Sequence, residues 1–64
     1  MQKDVLTDLI VAYGAKRERV AVFLSDALDA GVNTRKGAHY REMAKKWAER
    51  AETDMKTIQS ILDK

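Results

Sequence analysis

Apolar residues recur along this chain at intervals of three and four. In the first half they are Val5, Leu6, Leu9, Ile10, Tyr13, Val20, Phe23, Leu24, Ala27 and Leu28. At about 100° per residue these positions fall in one sector roughly 140° wide. In the second half Tyr40, Met43, Ala44, Trp47, Ala48, Ala51, Met55, Ile58, Ile61 and Leu62 do the same. The period-two alternation of a strand is absent from both halves. The pattern predicts two long helices, over about residues 3–30 and 34–63, in one all-α domain spanning 1–64.

Between the halves lies Ala30-Gly31-Val32-Asn33-Thr34. Gly31 suits the left-handed residue that ends a helix, and Asn33 or Thr34 can cap the next one through a side-chain oxygen. The turn sits mid-chain, so the helices have nearly equal length and fold back as an antiparallel hairpin. Facing residues then have numbers summing to about 65: Leu6 near Ile58, Ile10 near Met55, Tyr13 near Ala51, Leu24 near Tyr40. Large residues on one helix often meet Ala44, Ala48 or Ala51 on the other, an arrangement that allows close approach.

An apolar sector this wide exceeds the seam that two helices need, so each helix is expected to touch more than one neighbour. Two hairpins packed as a dimeric four-helix bundle, or a higher helical oligomer, would cover it. Length points the same way. A chain of 64 residues is marginal alone and needs a staple. It contains no Cys and a single His, which leaves no disulfide, no thiolate site and no intrachain His cluster for a metal. Oligomerisation is the staple left.

Three stretches break the pattern. In the first, Gly14-Ala15-Lys16-Arg17-Glu18-Arg19, there is no large apolar residue, and Lys16 and Arg17 point into the apolar sector. Either the helix continues, with Lys16 and Arg17 snorkelling from the core edge and Arg17 stacking on Trp47, or Gly14 breaks it and the chain has three helices. Arg17 is also a candidate contact for an acidic partner or a phosphate. In the second, Arg35 and Lys36 open the second helix, with His39 one turn on, where cations oppose the helix dipole. Asp26 and Asp29 stand across the turn and can offset them. The alternative is an anion or partner site at the turn end, built from Arg35, Lys36, Arg41 and Lys45. The third is a faint stripe opposite the core sector, Val11, Ala15 and Val22, which could seat another helix.

Charge changes this picture little. Twelve basic against ten acidic residues leave a net +2, which does not by itself imply nucleic acid. A basic band runs around the middle and turn end, but within the second helix Glu42 with Lys46 and Glu52 with Lys56 sit in the favourable order of an ordinary solvated helix. Trp47 and Phe23 fall in the core sectors, away from any base-stacking role. No apolar run approaches the roughly 20 residues of a membrane span. The charges of Lys3, Asp4 and Asp8 break any signal-peptide core, so a cytoplasmic location is expected.

Catalysis is not expected. Ser25 and Ser60 have no His base within reach, no Gly-rich phosphate loop exists, and the carboxylates lie scattered over solvent faces. No cofactor is implied. The architecture resembles in shape and size the Rop-like dimers of helical hairpins that bind plasmid RNA. No residue-level motif carries that likeness, so no functional residue comes with it. The expected function is a helical interaction or assembly protein that binds itself and another protein, an accessory or structural component of the kind phages and mobile elements encode. The alternative is a Rop-like regulator that binds RNA or DNA through the basic band.

Overall fold

The structure, a computed structural model, describes residues 2–63. It consists of two helices, α1 (Gln2–Ala30) and α2 (Arg35–Leu62), laid side by side as an antiparallel rod of 46 × 14 × 11 Å. Opposite residues sum to about 65, as the central turn requires: Phe23 stacks on Tyr40 at 6.4 Å between ring centroids, and the Arg19 guanidinium lies 5.0 Å from the Trp47 ring.

The seam between the helices repeats every seven residues. On α1 it is formed by Leu6, Tyr13, Val20 and Ala27, with Leu9, Lys16, Phe23 and Ala30. On α2 it is formed by Gly37, Ala44, Ala51 and Ile58, with Tyr40, Trp47, Asp54 and Ile61. Each of these side chains or glycines is buried or half-buried. A strict seven-residue repeat keeps one stripe of each helix in contact along its length. The α2 row is small where it is deepest: Ala44 and Ala51 are only 3% and 1% exposed. Small residues there let α1 approach, and Tyr13 and Val20 fill the space from the other side. Layer by layer, Ala27 with Gly37 gives way to Val20 with Ala44, then Tyr13 with Ala51, then Leu6 with Ile58. Residue size therefore grows from the turn toward the open end.

The turn is built as the sequence predicts, with Thr34 rather than Asn33 as the cap. Gly31 takes φ +95°, and its N–H donates to the carbonyl of Leu28 at 3.2 Å. Thr34 is extended and its hydroxyl oxygen accepts from the Gly37 N–H at 3.0 Å. Gly37 lies so close to the turn that a Cβ there would run into the Gly31 carbonyl. It is the point of closest approach between the turn and α2.

Lys16 makes the one ion pair among the described residues, with Asp54. Both belong to the seam. Side chains on a helix lean toward its N-terminus, so Lys16 reaches back along α1 to the level of Asp54. A paired charge inside an otherwise apolar seam penalises other registers, because a shift would leave both ions part-buried and unpartnered.

Three sequence-based expectations need correction. Gly14 does not break the chain: α1 is continuous through it, no atom beyond its own stretch of helix stands within 4 Å of where its Cβ would be, and the three-helix alternative falls. Arg17 does not reach Trp47. It is exposed, and the cations over the indole are Arg19 and Arg50. Tyr40 packs on Phe23, while Leu24 is half exposed. The wide apolar sector of α1 is only partly covered by α2, as its width implied. Val5, Ile10, Leu24 and Leu28 remain exposed, Leu28 to 72%, because two helices share only a narrow stripe.

Candidate interaction surface

The two broad sides of the rod differ. Arg19 and Arg50, both within about 5 Å of the Trp47 ring centroid, mark one side. Asp26, Asp29, Lys36 and Tyr40 line a shallow cleft of about 270 Å³ on it, near the turn. This charged side is partly self-satisfied: two guanidinium groups rest on the half-buried indole, a cation–π arrangement worth roughly 0.5–1 kcal/mol each where water has access.

On the opposite side, helical spacing brings Ile10, Arg17 and Leu24 of α1 into line about 80° from the seam, with Leu28 one row further out. Alongside them run Arg41, Lys45, Ala48, Glu52 and Met55 of α2. Apart from Ala48 and Met55, which are half-buried, all of these are exposed. Gly14 and Ala21 lie on the outer edge of the same α1 stripe. This is the apolar side.

Every residue singled out from the sequence as a partner contact is exposed, but they do not form one patch. Arg17, Arg41 and Lys45 belong to the apolar side, and a shallow groove of about 380 Å³ runs along Ala38, Arg41, Glu42 and Lys45. Lys36 faces the other side, toward Asp26 and Asp29. Arg35 lies at the tip. Asp26 and Asp29 share a cleft with Lys36 yet make no ion pair with it, or with Arg35 or His39, among the described residues. The proposed cancellation of charge across the turn therefore acts at most through solvent, where it is weak. Val11, Ala15 and Val22 face away from α2, with Val11 66% exposed. Ala15 and Val22, with Glu18, Arg19 and Phe23, line an open groove of about 390 Å³.

Sequence reasoning expected α1 to need a further neighbour but did not separate the apolar side as a surface of its own, placing Ile10 opposite Met55 and Leu24 opposite Tyr40. The signal was present in the spacing: Ile10, Arg17 and Leu24 repeat by seven, as do Gly14, Ala21 and Leu28, which is a second seam on the same helix. Gly37 was also missed, although Gly37, Ala44, Ala51 and Ile58 repeat by seven as well.

Among the described residues no helix is long and apolar enough to cross a membrane, and no group of three or more His, Asp or Glu is placed to hold a metal ion. No protein-family model, curated protein or solved structure matches the chain.

Proposed function

We propose that this hairpin is a non-enzymatic interaction and assembly module that works as a homo-oligomer, a dimeric four-helix bundle at its smallest, and offers its outer surface to another protein. The observation that carries this reading is the uneven exposure of apolar side chains. Of the exposed large apolar residues, Val5, Ile10, Val11, Val22, Leu24 and Leu28 are on α1, Val32 is in the turn, and α2 contributes only Leu62 near its end. A helix apolar on several sides is suited to contact with several neighbours, and within one chain α1 has one. The area agrees. The chain exposes 5024 Å², against roughly 4,200 Å² for a compact monomer of its 7.3 kDa. A rod only two helices thick leaves that excess, and packing against a second copy would cover part of it.

The rival reading, a Rop-like regulator of RNA or DNA, draws on the basic band. It is weakened because Lys16 is paired with Asp54 and Arg19 and Arg50 lie over Trp47, although Arg17, Arg35, Lys36, Arg41, Lys45 and Lys46 stay exposed. Sedimentation equilibrium at micromolar concentration tests the proposal: a dimer or larger species is expected, with a melting temperature that rises with concentration. A heat-stable monomer with concentration-independent melting overturns it. A steeply salt-dependent association with generic RNA would favour the regulator.

A further inference from the structure

We propose that two copies of this chain dock through the apolar side with α1 antiparallel to α1 of the second copy, about a twofold axis that passes beside Arg17 and Ala48. The inference rests on the self-association reading and adds its geometry.

Self-complementarity carries it. A twofold interface uses the same patch on both copies, so the patch must match itself when reversed. The α1 stripe does. Ile10 and Leu24 each lie seven positions from Arg17. Laid antiparallel about Arg17, Ile10 meets Leu24 of the second copy, and Leu28 comes level with the seam edge at its Leu6. Gly14 and Ala21 flank the centre, where small residues let helices approach. The register within the hairpin puts Ala48 level with Arg17, so the same axis passes the small Ala48 on α2. About that point Lys45 comes level with Glu52 of the second copy, and the twofold repeats this pairing of opposite charges.

Two hairpins laid apolar side to apolar side have one other twofold arrangement, with the axis along the helices. It would set α1 on α2 of the second copy, with Ile10 level with Met55 but Leu24 level with Arg41. The crossing axis instead sets the apolar stripe of α1 on itself and Lys45 on Glu52. Its mismatches are Arg17 against itself and Arg41 level with Met55. The dimer is therefore weaker than its apolar stripe alone would make it, and Arg17→Leu should tighten it by about tenfold, since like charges set together oppose association.

The chain has no cysteine, so cross-linking through single introduced cysteines is unambiguous. Under mild oxidation Arg17→Cys should form a covalent dimer by itself. Ile10→Cys alone should not, because the two copies of residue 10 lie fourteen positions, about 21 Å, apart along the helices, beyond disulfide reach. Mixed Ile10→Cys and Leu24→Cys chains should cross-link to each other. Lys45→Glu should weaken the dimer by about tenfold and Lys45→Glu with Glu52→Lys should restore it, since each lost pair counts twice. Sedimentation and circular dichroism on the reduced variants separate loss of association from loss of folding. A dimer in which Arg17→Cys links only to Ala48→Cys overturns the proposal in favour of the axis along the helices. A dimer that links at none of these sites uses another face, which overturns the proposal and leaves self-association standing. A monomer at all concentrations removes both.

Discussion

The two helices have nearly the same length and share one seam, yet α2 is finished by that seam and α1 is not. On α2 the buried row of Gly37, Ala44, Ala51 and Ile58 is narrow, and mostly charged and polar residues cover its exposed remainder. On α1 apolar residues occupy the seam, the flank at Ile10, Leu24 and Leu28, and the outer face at Val11 and Val22. α2 supplies the hairpin's shape, and α1 supplies surface that the hairpin alone cannot cover. Exposed apolar groups scattered singly would mean little, but these form lines at heptad spacing on one element, the arrangement of a helix made for more than one contact.

Substitutions can break this division of labour. The largest expected effect is at Trp47 on α2, where Trp47→Ala removes the ring beneath Arg19 and Arg50. It should destabilise the hairpin by about 3 kcal/mol in chemical denaturation. A variant that keeps its melting temperature but loses a partner would instead make Trp47 a binding residue. Gly37→Ala should cost about 2 kcal/mol or more, because its methyl group meets the Gly31 backbone carbonyl rather than a side chain that can move aside. An unchanged melting temperature there would show that the turn can open away from α2.

Next comes the ion pair in the seam. Asp54→Ala strands Lys16 in a part-buried position and should cost about 2 kcal/mol, less than a fully buried pair because water still reaches both groups. Replacing both, Lys16→Leu with Asp54→Leu, should restore stability or raise it. If the pair also sets register, that double variant should show a broader mixture of conformers by NMR.

The smaller effects belong to α1 and sharpen the contrast. Gly14→Ala should stabilise the hairpin by about 1 kcal/mol at dilutions where it is monomeric, since open space surrounds the position. A simultaneous loss of association would place Gly14 inside the contact between copies. The smallest effect on folding is expected from Leu28→Lys. At 72% exposure the change should stay within about 0.5 kcal/mol, while concentration-dependent melting should largely disappear. A large loss of monomer stability from Leu28→Lys would end the claim that α1 carries spare apolar surface.

Much of the fold can be read from the residues alone. Three- and four-residue spacing, the absence of proline and one Gly-containing turn are local properties, and they determine two long helices, a reversal at Gly31 and a register near 65. The capping of α2 by Thr34 and the continuity of α1 through Gly14 are local too, but each lay between alternatives that differ by about 1 kcal/mol, too little for the residues alone to separate. The distribution of the apolar sector is not local. Periodicity counts how many residues face roughly one way. It does not say how wide a stripe one neighbour can cover, and that width follows from two cylinders touching along a line. Only the tertiary structure therefore separated Leu6, Tyr13, Val20 and Ala27, which are buried or half-buried against α2, from Ile10, Leu24 and Leu28, which stay exposed. It also decided the partners of the charges. Lys16 found Asp54, and Arg19 rather than Arg17 found Trp47, because 100° of rotation between adjacent residues and the lean of side chains toward the helix N-terminus choose among neighbouring residues of the same type.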